Sequence, residues 1–205
     1  MKKNLTELVF ILDRSGSMYG LVDDTVGGYN ALLEQNRKLE GEAMITTVLF
    51  NHQIERIHDR VPIKRVSDMK PGDFQPSGCT ALLDAVGTTI ADMERVQKIL
   101  PKRHRAEHVL VAIATDGLEN ASKEYSYARV KAMITAAQER GWEFIFMAAN
   151  IDAAAEADRL GILADHAMNY APTAAGASHM YAAAACASAR VRAGAPLADW
   201  QDAED

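Results

Sequence analysis

The sequence is poor in cysteine and has no excess of basic residues. Two cysteines, Cys79 and Cys186, occur among 205 residues, and their spacing matches neither a disulfide framework nor a zinc site. The formal net charge is -6 at pH 7, so the chain lacks the basic balance that binding to nucleic-acid phosphates requires. We therefore expect a cytoplasmic protein that does not bind nucleic acid.

Long hydrophobic runs are also lacking. The first apolar run is cut by Asp13 and is too short for the hydrophobic region of a signal peptide. The alanine-rich segment from Tyr181 to Ala189 is followed by Arg190 and Arg192 and is shorter than the roughly 20 residues that a membrane span needs. We expect no membrane segment. The share of hydrophobic residues, 48%, is ordinary for a globular protein.

The apolar runs that are present predict strands. Three of them are uninterrupted, which indicates strands buried on both faces, as in a parallel sheet covered by helices. A weaker pair predicts a hairpin that would place one antiparallel strand at the sheet edge. The strands are predicted at Leu8 to Leu12, Met44 to Phe50, Ile54 to His58, Val109 to Ala114, Phe144 to Ala149 and His166 to Tyr170.

Helical spacing of apolar residues separates these strands. The helices are predicted at Val22 to Leu33, Leu82 to Leu100, Tyr127 to Ala137, Asp152 to Leu160 and Ser178 to Arg192. This alternation predicts an α/β fold with a Rossmann-like, doubly wound, mostly parallel sheet and helices on both faces. We expect one domain over residues 1–172. Residues 173–205 would form a helical extension and a loose acidic tail, packed on that domain or trailing it.

Side chains with oxygen atoms follow the ends of the predicted strands. Asp13, Ser15 and Ser17 stand at alternate positions after the first strand, Asp116 follows VLVAIAT, and Thr80 lies near the start of the second helix. In doubly wound sheets, ligands bind beyond the carboxyl ends of the strands, where the strand order reverses. If the strands before the two aspartates are neighbours, all five side chains meet in one crevice.

This set of carboxylates and hydroxyls indicates a hard cation. Without histidine or thiolate, the oxygen ligands favour Mg²⁺, with Mn²⁺ and Ca²⁺ as alternatives. The two carboxylates balance the charge of a divalent ion, and the hydroxyls add no negative charge. The ion would therefore keep an affinity for an anionic ligand, which a carboxylate of a partner protein can supply.

The segments ILDRSGSM, GCTALLDAV and ATDGLEN resemble the three motifs of the von Willebrand factor A (VWA) domain. The metal-ion-dependent adhesion site (MIDAS) of that family reads DxSxS, then T, then D. All five positions are filled here, by Asp13, Ser15, Ser17, Thr80 and Asp116. The resemblance covers roughly Leu5 to Tyr170, and one departure is Cys79, which stands where the family commonly has glycine.

The resemblance implies a Rossmann-like fold and a domain that binds partners through Mg²⁺ instead of catalysing a reaction. In that family the serines and the threonine contact the metal directly or through water, and the aspartates often act through water. An aspartate or glutamate of a partner protein completes the octahedron. We therefore expect a protein-binding module that is not an enzyme, and the sequence leaves its oligomeric state open.

Two other functions stay open at this stage. Haloacid-dehalogenase phosphatases attack phosphorus with a carboxylate at the end of the first strand, which would be Asp13, and hold Mg²⁺ with a later aspartate. They need a second acid two residues after the nucleophile, where this chain has Ser15, whose hydroxyl is a poor general acid. The other alternative is a metal-independent interaction scaffold.

Several polar residues near the site are expected to have ordinary roles. Asp84, Glu119 and Asn120 are expected on the helix surface or in loops. The alternatives are a role for Asp84 as a hydrogen-bond acceptor near the site and for Glu119 and Asn120 at its rim. Cys79 is expected to be a small buried filler. His52 and His58 are expected to form a solvated pair on the edge hairpin.

Overall fold

The computed structural model describes residues 1–202. The last three residues of the predicted acidic tail lie outside this range. The strands are β1 (Lys2–Asp13), β2 (Glu42–Phe50), β3 (Ile54–Pro62), β4 (Ala106–Thr115), β5 (Trp142–Ala148) and β6 (Ala167–Asn169). The helices are α1 (Val22–Lys38), α2 (Leu82–Ile99), α3 (Tyr127–Gln138), α4 (Ala153–Leu160) and α5 (Ala174–Arg192). No helix among the described residues has the length and apolar character to cross a membrane.

The strands form one sheet in the order β3-β2-β1-β4-β5-β6. All neighbouring pairs are parallel except β2 and β3, which are antiparallel. This confirms the predicted mostly parallel sheet with one antiparallel edge strand. β2 and β3 lie on one side of β1, and β4, the next strand in the sequence, pairs with the other side of β1. The strand order therefore reverses between β1 and β4, which is where this type of sheet binds ligands.

Helices cover both faces of the sheet, as predicted. Successive side chains of a strand point to opposite faces, and β1 shows this directly. Leu8, Phe10 and Leu12 join the cluster formed with α1 and α5. Val9 and Ile11 join the cluster formed with α2, α3 and α4. Both faces of β1 are therefore dry, which is why its central residues form an uninterrupted apolar run.

The C-terminal part of the described chain packs against α1 and the sheet. Arg192, in the last turn of α5, donates to the main-chain oxygens of Asn36, Leu39, Glu40 and Gly41, and so satisfies carbonyls at the end of α1. Trp200 is fully buried, and its Nε1 donates to the Asp165 carbonyl at 3.0 Å. The expectation of a loose tail is therefore wrong at residues 197–201, while the division of the chain at residue 172 stays a prediction.

One polar pair lies inside the predicted apolar sheet. Glu7 in β1 is fully buried, and its Oε1 accepts from Nε of Arg60 at 2.8 Å, while its Oε2 has no partner. The β2–β3 register shifts around Thr47, and the resulting bulge lets Arg60 reach across β2. Burial raises the pKa of Glu7, and the Arg60 guanidinium opposes that rise. Glu7 therefore depends on Arg60 for its charge.

Replacing Arg60 tests this dependence. In Arg60→Met the buried carboxylate loses its cation, so we expect the free energy of unfolding at pH 7 to fall by about 3–5 kcal/mol. A carboxyl whose folded pKa is raised stabilises the folded state below its unfolded pKa, and this contribution is lost as the pH rises through the folded pKa. The loss relative to the unsubstituted protein should therefore be smaller at pH 4 than at pH 7, as measured by urea unfolding.

The double variant Glu7→Gln/Arg60→Met is the control for that experiment. It has no carboxyl group at position 7, so the increase in the loss of unfolding free energy from pH 4 to pH 7 that is expected for Arg60→Met should disappear. Equal losses for Arg60→Met at pH 4 and pH 7 would show that Glu7 does not carry the effect.

Candidate metal centre

The two aspartates lie at the same edge of the sheet because β1 and β4 are parallel neighbours. Leu12 is paired with Ala114, so Asp13 and Asp116 follow at the carboxyl ends of adjacent strands. Both carboxyl groups are buried, with exposed fractions of 1% for Asp13 and 4% for Asp116. The strands before the two aspartates are therefore neighbours, which is the arrangement that the sequence analysis required for a site shared by Asp13 and Asp116.

The loop after β1 brings its two serines to these carboxylates. The Ser15 amide donates to Oδ1 of Asp13 at 2.6 Å. The Ser17 hydroxyl donates to Oδ1 of Asp116 at 2.7 Å, and the Ser15 and Ser17 hydroxyls lie 3.1 Å apart. Four of the five predicted side chains are thus in one connected set of hydrogen bonds.

Thr80 reaches the same edge on a separate loop. Its amide donates to Oδ1 of Asn120 at 2.9 Å, and the Asn120 amide donates to the Thr80 carbonyl at 3.0 Å. Just before it, the Gly78 carbonyl accepts from the Gly16 amide at 3.1 Å. The loop of Thr80 is therefore bonded to the loop after β1 on one side and to the loop after β4 on the other.

Gly78 is needed for this approach. Its φ is +69°, and a Cβ atom at this position would lie 2.0 Å from Nδ1 of His52. Any other residue would combine a strained backbone with a clash against the loop after β2. The glycine two residues before Thr80 therefore lets the Thr80 loop pack against the loops after β1 and β2.

The site pairs two acids, and no cationic side chain is among the groups that act on the pKa of Asp13. Burial raises the pKa of Asp13, and the negative charge of Asp116 raises it further. The groups that lower this pKa are the Thr115 hydroxyl and the amide and hydroxyl of Ser15, none of which is cationic. Burial also raises the pKa of Tyr170, with added contributions from Asp116 and Asp13. A cation at this place would relieve the repulsion that both aspartates exert.

The donor set fits a hard divalent ion. Among residues 1–202, no group of three or more histidine, cysteine, aspartate or glutamate side chains is placed to hold a metal. A metal at the sheet edge would therefore depend on hydroxyl oxygens in addition to its two carboxylates. Such ligands suit Mg²⁺ and similar ions better than zinc or copper.

Two residues that the sequence analysis overlooked also shape the site. The Thr115 hydroxyl donates to Oδ2 of Asp13 at 2.6 Å. Asn51 follows β2, where it accepts from the Ala81 amide with its main chain and donates to the Ser77 hydroxyl at 3.1 Å. The strand-end rule that indicated Asp13 and Asp116 applies to both residues, since each is polar and adjoins the end of a buried strand.

Asp84 and Glu119 accept hydrogen bonds from main-chain amides close to Thr80, which is the alternative role that the sequence left open for them. Asp84 accepts from three successive amides, those of residues 123–125, at 2.8 to 2.9 Å. Glu119 accepts from the Leu83 amide at 2.9 Å and from the amides of Ala121 and Ser122 at 2.8 Å. These bonds join the first turn of α2 to the loop after β4, and so hold the surroundings of Thr80 in place.

Two further expectations are wrong. Cys79 is exposed instead of buried, because the loop that carries Thr80 turns this side chain outward. His58 is buried, and its Nδ1 lies 3.1 Å from the Thr47 hydroxyl, while His52 is exposed. The two histidines therefore do not form a solvated pair. Burial lowers the pKa of His58.

Solved structures of VWA domains resemble this chain. No family model matches the sequence, and no curated protein matches it significantly. Proximal thread matrix protein 1 of the mussel byssus is 12% identical with a TM-score of 0.60, over 86% of this chain and 44% of that one. A VWA protein of Catenulispora acidiphila is 14% identical with a TM-score of 0.61, over 90% and 42%.

A third match has nearly the size of this chain. The VWF domain of the pilus tip protein Mfa5 from Porphyromonas gingivalis is 12% identical with a TM-score of 0.57, over 86% of this chain and 93% of that one. In contrast, this chain spans less than half of the length of the mussel and Catenulispora chains. Another structure of the mussel protein has a zinc-occupied MIDAS motif, with a TM-score of 0.56. The fold of this chain is that of the von Willebrand factor A domain.

Proposed function

We propose that this chain is a member of the VWA family that binds a partner protein through a divalent metal ion. Asp13, Ser15, Ser17, Thr80 and Asp116 would hold the ion, which we infer to be Mg²⁺, with Mn²⁺ or Ca²⁺ as alternatives. The observation that carries the proposal is the 2.7 Å contact between the Ser17 hydroxyl and Asp116, beside a buried Asp13 that has no basic neighbour among the groups acting on its pKa.

The ion, when bound, supplies a positive charge and a coordination position for an anionic oxygen. Other residues of this chain orient the groups that would bind the ion. The Ser15 amide and the Thr115 hydroxyl fix both oxygens of Asp13, and Asn120 fixes the main chain of Thr80. These contacts keep the oxygens oriented before any ion arrives, which lowers the entropy lost on binding.

The charge balance favours an acidic partner. Two carboxylates neutralise a divalent ion, and the hydroxyls of Ser15, Ser17 and Thr80 are neutral. A calcium cage with three or four acids would leave no attraction for a further anion. Here an aspartate or glutamate of a partner protein is the ligand that completes the coordination with matching charge.

The geometry at Asp13 favours binding over phosphoryl transfer. A nucleophilic carboxylate needs an oxygen free to approach phosphorus. Asp13 is 1% exposed, its Oδ1 accepts from the Ser15 amide, and its Oδ2 accepts from the Thr115 hydroxyl. Ser15, which stands where such an enzyme needs its general acid, is itself engaged with Ser17 and Asp116.

The comparisons support the metal-dependent part of the proposal. The mussel protein of the same fold has a MIDAS motif occupied by zinc, so this architecture accommodates a divalent ion at that motif. We propose a cytoplasmic location from the cysteine content, since a chain with two free cysteines, one of them exposed, suits a reducing compartment.

Thermal and urea unfolding with Mg²⁺ test the proposed site. At an ion concentration about 100 times its dissociation constant, the free energy of unfolding should rise by about 2.7 kcal/mol. Asp116→Ala and Thr80→Ala should abolish this gain, because each removes an oxygen from the site. Asp23→Ala, which removes an exposed carboxylate in the first turn of α1, should leave it unchanged.

Two results would contradict the proposal. A gain in stability that persists in Asp116→Ala would place the ion elsewhere, and no heat of Mg²⁺ or Mn²⁺ binding in calorimetry would favour a metal-independent scaffold. Turnover of an aryl phosphate with Mg²⁺, lost in Asp13→Asn, would favour the phosphohydrolase instead.

Thr115 is expected to act on the ion through Asp13. In Thr115→Val the Oδ2 of Asp13 loses its donor in a buried place, so without Mg²⁺ the free energy of unfolding should fall by about 1–3 kcal/mol. The affinity for Mg²⁺ should fall as well, because the carboxylate is no longer held in position. Thr115→Ser keeps the hydroxyl and should restore both quantities. An unchanged Mg²⁺ affinity in Thr115→Val would limit Thr115 to a role in stability.

A further inference from the structure

Two large apolar side chains are exposed on the loops that carry the proposed metal site. Tyr19 is 80% exposed and Leu118 is 55% exposed. Tyr19 lies two residues after Ser17, and Leu118 lies two residues after Asp116, and the side chains of Ser17 and Asp116 are in contact at 2.7 Å. Each Cα atom is therefore within about 7.6 Å of the Cα of a site residue.

The backbone after β1 accounts for the exposure of Tyr19. Residues Gly16–Leu21 form a 3₁₀ turn, in which side chains three residues apart share a face. Met18 and Leu21 use the inner face and are buried against the core. Tyr19, between them in sequence, points away from the core. The same turn that anchors the loop therefore presents an aromatic ring beside Ser17.

Leu118 is held outward by the residues on either side of it. Asp116 accepts from Ser17, Glu119 accepts from several backbone amides, and Asn120 is bonded to Thr80 in both directions. These bonds hold the main chain of the loop on both sides of Leu118. An exposed leucine on a fixed loop is available to a partner at no cost in loop ordering.

Position separates this pair from Ile99, which is also exposed. Ile99 is 75% exposed at the last position of α2, roughly 25 Å along the helix from its first residue near Thr80. A single exposed residue of this kind is normal for a protein surface. Tyr19 and Leu118 differ because they come from two loops that meet at the Ser17–Asp116 contact.

We propose that the partner presents an acidic residue with apolar residues close to it. This rests on the proposed function, since the acid would take the open position of the ion. The apolar neighbours of that acid would cover Tyr19 and Leu118. The surface thus combines a requirement for an acid at the ion with apolar contacts at Tyr19 and Leu118, and an acid in a fully polar segment would satisfy only the first.

Two libraries of phage-displayed cyclic peptides test this inference. One library has a fixed aspartate between random flanks, and the other has asparagine at that position. Both are selected on the full chain with Mg²⁺ or Mn²⁺. We expect enrichment from the aspartate library alone, with apolar residues within two positions of the aspartate.

Binding of one enriched synthetic peptide is then measured by fluorescence polarisation. Tyr19→Ser and Leu118→Ser should each weaken binding by about fivefold to tenfold, as expected for partial loss of buried apolar area. Ile99→Ser is the matched control and should change binding by less than about twofold. Unchanged Mg²⁺ affinity in all three variants shows that the site itself is intact.

The outcomes separate this inference from the function on which it rests. Peptides that need aspartate and the ion but have polar flanks, with no effect of Tyr19→Ser or Leu118→Ser, would overturn the apolar flanks and leave the metal-dependent function standing. Peptides that bind equally in chelator, or come equally from the asparagine library, would contradict both. A lack of enrichment over Asp116→Ala protein would also count against the inference.

Discussion

The arrangement of the site depends on two buried carboxylates, Asp13 and Asp116, held by neutral donors at the ends of adjacent parallel strands. Hydroxyl and amide groups supply the hydrogen bonds, and no basic side chain is among the groups that lower the pKa of Asp13. Like charges in such a place repel each other. A divalent cation at the proposed site would remove this repulsion while using the same oxygens.

The topology of the sheet brings Asp13 and Asp116 to the same edge. Because β1 and β4 are neighbours at the point where the strand order reverses, the helices that follow them pack on opposite faces of the sheet, and their carboxyl ends lie where such sheets bind ligands. The Thr80 loop is bonded to both neighbouring loops, through Gly78 to Gly16 and through Thr80 to Asn120. Three separate segments are thus fixed against one another by the main chain, so their side chains need little further ordering.

The sequence predicted the sheet and the grouping of site segments because both follow from simple patterns. Apolar runs such as Leu8 to Leu12 show burial on two faces, and polar residues after such runs show where the strands end. The same patterns failed where tertiary contacts override them. Glu7 continues β1 as a buried charge because a bulge in β3 supplies Arg60. Trp200 is buried although its sequence neighbours are acidic.

The most direct test of the account is a crystal structure of the chain grown with Mn²⁺, in which anomalous scattering locates the ion. The account predicts one ion bound through the oxygens of Asp13, Ser15, Ser17, Thr80 and Asp116, directly or through water, with direct bonds of about 2.0–2.2 Å. Its outer position would hold water or a carboxylate from another molecule. An ion bound elsewhere, or Ser17 still hydrogen-bonded to Asp116 with no ion at saturating Mn²⁺, would contradict it.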